Sequence, residues 1–178
     1  MEIKVTKLTD VALLKKAFNS TVRFNSNVDL LNAYRLMHSP IRTQEFFIEM
    51  LDIPTFVSVH FVRHKIGCEH FVLTNRDDRG GVKADRDTPV NHSMKINAES
   101  LITLARKRLC FKSHRKTVQV MSLIKNKLKE IDPDLVKFMV PECVFRNGLC
   151  SEGRFTCGKK QRILNKYSYY KEIFDEQL

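Results

Sequence analysis

The sequence predicts an α+β fold in which helices pack on an antiparallel sheet. Segments that alternate apolar and polar residues, as strands do, are interspersed with segments whose apolar residues recur at helical spacing. The chain has 178 residues, 43% of them hydrophobic, which is enough to enclose a core. It contains no internal repeat and no linker-like composition, so we expect one domain over residues 1–178 that ends in a cysteine-containing tail, residues 141–178.

The first third of the chain is predicted to form one strand followed by helices. Residues 1–8 alternate apolar and polar side chains, as a half-buried strand does. Asp10 precedes an apolar stripe at helical spacing and is a candidate N-cap, whereas Pro40 suits the first turn of a helix. The helices predicted here cover residues 11–18, 29–37 and 40–49.

The remaining elements are predicted from composition and helix signals. The run Thr55–Val62 is rich in β-branched and aromatic residues, which favours a buried strand. The polar segment 76–91 contains adjacent glycines and predicts a mobile loop. Asn97 is a good N-cap for a helix that continues to Arg108. Two further helices are predicted, one from Ser113 or Thr117 to Lys129 and one over residues 159–178.

The net charge of +11 allows two classes of anionic partner. A nucleic acid would attract many lysines and arginines, and so would small ligands that carry several phosphates or carboxylates. Proteins that bind single-stranded nucleic acid by base stacking have a repeated pattern of aromatic and basic residues. The sequence lacks this pattern, so nucleic acid is the less favoured partner. No signal peptide or apolar run of membrane-spanning length is evident, and we expect a cytoplasmic protein with reduced, metal-bound or reactive cysteines.

Three consecutive basic residues, Arg63-His64-Lys65, follow the apolar segment that ends at Val62. Such a cluster at the end of a rigid element predicts a pocket for an anion, with phosphate as the best candidate. The alternative is a polar strand end on the surface, with Arg63 paired to Glu69 or Asp77.

Asn97 and Arg108 are predicted to share one helix face. They are eleven residues apart, about three turns, which places them roughly 16 Å from each other. One side chain can therefore contact one ligand while the other reaches a second ligand. The alternative is a solvated Arg108 beside Arg106 and Lys107.

Taken in order, these motifs resemble those of flavin-dependent thymidylate synthases. The family signature begins Arg-His-Arg and continues with Ser, Asn, Glu, Ser and Arg at short intervals; here Arg63-His64-Lys65 opens a similar series. His38-Ser39-Pro40 occupies the place of a histidine-containing helix start, 25 residues earlier. Asn97-Ala98-Glu99-Ser100-Leu101, followed by Arg108, resembles the Asn-x-x-Ser-Leu helix. The resemblance covers residues 30–125.

The resemblance implies a homotetrameric enzyme that converts deoxyuridylate to thymidylate, with FAD as cofactor and methylenetetrahydrofolate and NADPH as co-substrates. It assigns catalysis to Arg63 and Arg108. The residues that it places around the flavin are Arg63, His64, Lys65, Asn97, Thr103 and His38. The residues that it places around the nucleotide are His60, Arg63, Thr74, Arg76 and Arg108.

The sequence departs from the family pattern at several of these positions. Lys65 replaces an arginine, which keeps the charge but loses the two-pronged geometry of a guanidinium. Cys68 stands where the family has serine. A one-residue insertion brings Thr74 and Arg76 near the family's hydroxyl and arginine positions, as in divergent, phage-type members. A related pyrimidine-nucleotide one-carbon transferase, or a basic nucleic-acid-binding protein, therefore remains as an alternative.

The cysteine-containing tail suggests a second type of site. Three of its cysteines are spaced by seven residues and lie near glycines: Cys143, Cys150 and Cys157. With Cys110 or a histidine as fourth ligand, they could hold a metal ion such as zinc. The alternative is that these thiols are reduced and pack as small apolar groups.

Overall fold

A four-stranded antiparallel sheet is the centre of the fold. The computed structural model describes residues 1–21, 29–81, 83 and 85–175. The strands within these ranges are β1 (Glu2–Lys7), β2 (Glu45–Pro54), β3 (Cys68–Val72) and β4 (Pro89–Asn97). Their order in the sheet is β1-β2-β4-β3, and every neighbouring pair is antiparallel. The predicted fold class, helices packed on an antiparallel sheet, is confirmed.

Helices pack on this sheet or on one another. They are α1 (Val11–Asn19), α2 (Leu30–Leu36), α3 (Thr55–Val62), α4 (Ala98–Arg108), α5 (Arg115–Ile131), α6 (Pro133–Phe138), α7 (Glu142–Phe145), α8 (Lys160–Lys166) and α9 (Ser168–Asp175). In the described part of the chain, none of them has both the length and the apolar character needed to cross a bilayer. The single helix predicted for residues 159–178 is divided at Tyr167, and residues 176–178 lie outside the described ranges.

The predicted helix over residues 40–49 is wrong. Only a short 3-10 turn, Ser39–Thr43, forms there, and β2 begins at Glu45. Phe46, Ile48 and Met50 are buried, whereas the residues between them are only partly buried. This period of two is the signature of a strand with one face on the core. The prediction rested on Pro40, which does begin a helical turn, but that turn ends at Thr43.

The predicted strand Thr55–Val62 is also wrong, because this segment forms α3. Both types of element can be apolar throughout when they are largely buried, so periodicity does not separate them. Pro54 stands at the N-cap position, where the missing backbone N–H does no harm. The helix changes the geometry of the site, since His60 and Arg63, three residues apart, are neighbours on one helix face.

The predicted helix caps are confirmed. The Asp10 carboxylate accepts a hydrogen bond from the backbone N–H of Ala12 at the start of α1. The Asn97 side chain accepts one from the N–H of Ser100 at the start of α4. Each cap satisfies a backbone donor that has no partner within its helix.

A buried carboxylate ties the sheet to the helices. Asp132 is 1% exposed and accepts hydrogen bonds from Lys7 of β1 at 2.7 Å and from the Tyr34 hydroxyl of α2 at 2.8 Å. It also caps α6 through the backbone N–H of Leu135. A buried charge with this many partners is satisfied, and it fixes the position of α5 and α6 relative to β1.

Candidate functional site

The turn that follows α3 lies directly against the start of α4. The carbonyl of Gly67 accepts a hydrogen bond of 3.1 Å from the Asn97 backbone N–H, and the Ser100 hydroxyl donates to the carbonyl of Ile66 at 2.8 Å. Gly67 has a φ of +62°, and a Cβ on it would lie 2.3 Å from both Asn97 Nδ2 and Ser100 Oγ. Two motifs that are thirty residues apart in the sequence are therefore in contact.

Two cavities open on either side of this contact. The larger has a volume of about 510 Å³, with Arg63 and Lys65 beside an apolar wall that includes Val59 and Leu73. The smaller, of about 220 Å³, is lined by Lys65, Asn97 and residues of β3 and β4. Lys65 lines both. In the described lining of the larger cavity there is no carboxylate to neutralise Arg63 and Lys65.

His64 faces away from these cavities, towards α4. Its Nε2 atom accepts a hydrogen bond of 3.0 Å from Nε of Arg108, and the same guanidinium donates to the carbonyl of His60. Burial, followed by the charges of Arg108, His70 and Lys107, lowers the pKa of His64 to about 4. A neutral His64 is required here, because an imidazolium has no lone pair with which to accept the arginine proton.

The surroundings of His60 are strongly positive. Its Nδ1 atom lies 2.8 Å from the Thr117 hydroxyl of α5. Burial lowers the pKa of His60, and the charges that lower it further belong to Arg108, Arg63, His114 and Arg86. All four are basic. Cations that repel one another gain stability when an anion enters between them, so this group is suited to a phosphate or a developing negative charge.

A chain of hydrogen bonds runs beneath α3 from the sheet to the turn. Ser58 Oγ lies 3.0 Å from His92 Nδ1, His92 Nε2 lies 2.9 Å from His70 Nδ1, and His70 Nε2 lies 2.7 Å from the carbonyl of His64. The carbonyl can only accept, so His70 donates from Nε2. The low pKa of His92 keeps its ring neutral, so one of its nitrogens donates and the other accepts. These hydrogen bonds join the turn to β3 and β4.

The hydrogen-bonded His92 predicts a loss of protein stability in acid. His92 is fully buried, and burial with the charge of His70 lowers its pKa to about 4, below the 6.5 of an unfolded chain. Between these values the unfolded state binds the proton first, so we expect His92 to remove up to about 3 kcal/mol of unfolding free energy as the pH falls from 6.5 to 4. Urea unfolding across this range measures the slope.

The matched variants separate His92 from the general effect of acid. His92→Asn should flatten the dependence of the unfolding free energy on pH. His38→Asn, which changes an exposed histidine away from these hydrogen bonds, should leave that dependence unchanged. Equal slopes in the wild-type protein and His92→Asn would contradict the assignment.

The Cys68 thiol lies close to these hydrogen bonds but is not activated as a nucleophile. Its sulfur lies 3.3 Å from His70 Nε2. Burial, followed by the charge of Glu69, raises the pKa of the thiol to about 11. A protonated thiol is a poor nucleophile. Cys68 is therefore not a candidate nucleophile.

Four residues that the resemblance assigns to the site lie apart from this arrangement. Arg76 forms a two-pronged ion pair with Asp78 in the loop after β3, and Thr74 accepts the backbone N–H of Arg76. His38 stacks near Phe18, with ring centres 6.0 Å apart. The fourth, Thr103, is exposed and donates its hydroxyl proton to the carbonyl of Glu99 one turn earlier.

The described residues do not form the predicted metal site, although the thiols of Cys110, Cys143, Cys150 and Cys157 lie near enough to one another for their charges to interact. In the part of the chain that the structure describes, no three histidine, cysteine or acidic side chains are arranged to hold a metal ion. Cys143, Cys150 and Cys157 are free and partly buried, and the first and last pack against the core. The alternative, reduced thiols that pack as small apolar groups, describes these positions.

Several residues of the site were not found from the sequence. Arg86 and His114 both contact Phe56, at 4.7 Å from the guanidinium carbon to the ring centre and at 4.6 Å between ring centres. His70 and His92 meet only because β3 and β4 pair with each other. A prediction of these two strands would have placed both histidines together, but Arg86 lies in a polar segment without a pattern.

Comparison with known proteins identifies the fold. No family model and no curated protein matches the sequence. Thymidylate synthase X from Helicobacter pylori, solved with FAD and dUMP, is 12% identical with a TM-score of 0.65 over 78% of this chain and 99% of its own. A UMP/dUMP methylase from Streptomyces cacaoi, solved with 5-Br dUMP, is 14% identical with a TM-score of 0.57 over 77% of this chain and 94% of its own. This chain has the fold of the flavin-dependent thymidylate synthases.

Proposed function

We propose that this protein is an FAD-dependent enzyme that reductively methylates deoxyuridylate to thymidylate, with methylenetetrahydrofolate and NADPH as co-substrates. One observation carries the proposal. The Arg63-His64-Lys65 turn rests on the Asn97 end of α4, so both motifs of the resemblance meet beside a cationic cavity. The fold in which this occurs is that of proteins solved with FAD and dUMP.

The residues of the larger cavity fit parts of a flavin nucleotide. Its wall of valines and Leu73 suits a planar ring, and Arg63 with Lys65 at its edge suits phosphate groups. Asn97 uses its Oδ1 atom as a helix cap, so only its Nδ2 donor is left for a ligand. A bound flavin would supply the hydride that the reaction needs.

The nucleotide is assigned to the cations around His60. Arg63, Arg86 and Arg108 can neutralise a 5′-phosphate or the negative charge that develops on a pyrimidine carbonyl. His64 is assigned a positioning role, because its neutral ring holds the Arg108 guanidinium in place. This role differs from the direct flavin contact that the resemblance implies for His64.

The exposed apolar residues around the cavity support self-association. The edge strand β3 and the residues next to it expose Ile66 (91%), Phe71 (52%) and Leu73 (59%), and Val59 of α3 is exposed as well. An exposed sheet edge with apolar side chains is a surface that proteins normally cover. We assign its cover to further copies of this chain in a homotetramer, whose subunits would complete each other's sites.

The flavin assignment is tested by reconstitution of the purified protein with FAD. Wild-type protein should retain FAD through gel filtration, with a flavin absorption band, and Arg63→Ala should weaken the binding by about tenfold or more. Arg79→Ala, which removes an exposed arginine that does not line either cavity, is the matched control. Folded wild-type protein that takes up no FAD would refute the proposal.

The assembly is tested by the mass of the protein in solution. Arg63 and Arg108 both lie around His60 of one chain, so each alanine variant should lose activity and co-refolded mixtures should not regain it. Light scattering should show four times the chain mass. A mass near 20.8 kDa at working concentration would exclude the shared site.

A second candidate is a transferase that adds another one-carbon group to a pyrimidine nucleotide. It is favoured by the position of Thr74 and Arg76, which lie in the exposed loop after β3 although the resemblance assigns them to the nucleotide. Altered nucleotide contacts would permit another substrate or product on the same fold. Mass spectrometry of the product distinguishes a methyl group from a hydroxymethyl group.

A further inference from the structure

A third cavity lies among the helices. Its volume is about 760 Å³, within the range of small-molecule sites. Residues of α2, α5, α6, α8 and α9 line it, together with Leu109 and Tyr167. Leu31, Leu109, Val136 and Ile173 give it an apolar lining. Neither Arg63 nor any other residue of the Arg63-His64-Lys65 turn borders it.

The lining of this third cavity carries many more basic than acidic residues. Its basic residues are Arg35, Lys125, Lys129, Lys137 and Lys166, whereas Glu172 is the single carboxylate of the described lining. Lys137 is paired with Asp134 at 2.9 Å. Neither Lys129 nor Lys166 has an ion pair with any residue that the structure describes. A concave surface with this excess of cations attracts anions.

The ammonium groups of Lys125 and Lys166 both lie near the ring of Tyr167. Nζ of Lys125 lies 5.0 Å and Nζ of Lys166 lies 5.7 Å from the centre of the Tyr167 ring. Lys125 donates hydrogen bonds to two neutral groups, the carbonyl of Met139 at 2.7 Å and the hydroxyl of Tyr169 at 3.3 Å. Burial, followed by the charge of Lys166, lowers the pKa of Lys125 to about 8. An anion between these two lysines would relieve their repulsion.

We propose that this cavity binds a nucleoside triphosphate. The tyrosines and the apolar lining suit a base, and several lysines without acidic partners suit a chain of phosphates. Lys125 and Lys129 lie eight and twelve residues beyond Thr117 along α5, roughly 12 and 18 Å at the rise of a helix. The site is therefore separate from the cations around His60, and the inference is independent of the proposed flavin chemistry.

Titration of the full chain with deoxythymidine triphosphate tests the inference. Calorimetry should show saturable binding that weakens with salt and persists in Arg63→Ala. Thymidine alone and inorganic triphosphate alone should each bind more weakly than the intact nucleotide. Lys125→Gln should weaken binding by about tenfold, since it removes a largely buried ammonium group.

Two further variants guard against misfolding and nonspecific attraction. Lys166→Gln, which changes an exposed side chain, should weaken binding by about two- to fivefold. Lys127→Gln, on another face of α5, should leave the affinity unchanged. The inference is overturned if the nucleotide does not saturate, if Lys127→Gln weakens binding as much as Lys125→Gln, or if inorganic triphosphate binds equally well. Much tighter binding of a single-stranded oligonucleotide at the same lysines would make this a nucleic-acid groove and would also overturn it.

Discussion

Replacing Gly67 with alanine is expected to destabilise the protein by about 2 kcal/mol or more and to abolish FAD retention. A non-glycine residue at a φ of +62° costs roughly 1–2 kcal/mol. The new methyl group would also lie 2.3 Å from Asn97 Nδ2 and Ser100 Oγ, so these side chains would have to move, which disturbs the Asn97 cap and the hydrogen bond from Ser100 to Ile66. Urea unfolding and gel filtration with FAD measure the two effects.

Gly80→Ala is the matched control, because Gly80 has a φ of +78° but no atom within 4 Å of an added Cβ. This variant has the strain of a positive φ without a steric clash. We expect it to lower the unfolding free energy by only about 1–2 kcal/mol and to keep FAD. If both variants behaved alike, the contact between the turn and α4 would have no special importance for the site.

Replacing Arg108 with alanine is expected to weaken deoxyuridylate binding by about tenfold to over a hundredfold, which corresponds to 1.5–3 kcal/mol for a charged hydrogen-bonding group. The guanidinium joins α4 to the His64 ring and to the carbonyl of His60, so its loss removes a cation and also loosens the end of α3. Nucleotide titration measures the affinity.

Lys107→Ala is the control for this variant. It removes an equal charge from the neighbouring position of α4, where the side chain is exposed. We expect nearly wild-type nucleotide affinity. Equal affinity in Arg108→Ala and the wild type would place Arg108 outside the nucleotide site and leave it only the role of joining α4 to the end of α3.

Local signals in the sequence predicted part of the fold well. Asp10 and Asn97 were found as helix caps because a short polar side chain before an apolar stripe has a specific role at a helix start. The alternation in residues 1–8 gave β1. These signals depend on a few neighbouring residues, so the surrounding structure does not alter them.

The elements that were missed depend on burial and pairing. The run Thr55–Val62 is rich in β-branched and aromatic residues, and the sequence does not show that it packs as a helix against β2 and β4. β3 and β4 are stabilised by pairing with each other, and β4 begins at Pro89, inside the segment 76–91 that was predicted as a mobile loop. Non-local contacts of this kind override local propensity.

The candidate site, like the fold, was predicted only in part. The turn at Arg63-His64-Lys65, Asn97 and Arg108 were found as motifs, and the structure brings them together. Motifs do not show which way a side chain points. His64 was expected to face a ligand, yet it turns inward and binds Arg108, while Lys65 lines both cavities.

The most direct test of the proposed function is formation of thymidylate by the purified protein. The protein is incubated with FAD, NADPH, methylenetetrahydrofolate and deoxyuridylate, and the nucleotide product is analysed by mass spectrometry, with Arg63→Ala as the inactive reference. We expect the wild-type protein to form a product one methyl group heavier than deoxyuridylate, in a reaction that depends on FAD. Folded, FAD-loaded protein that leaves deoxyuridylate unchanged would contradict the proposed function.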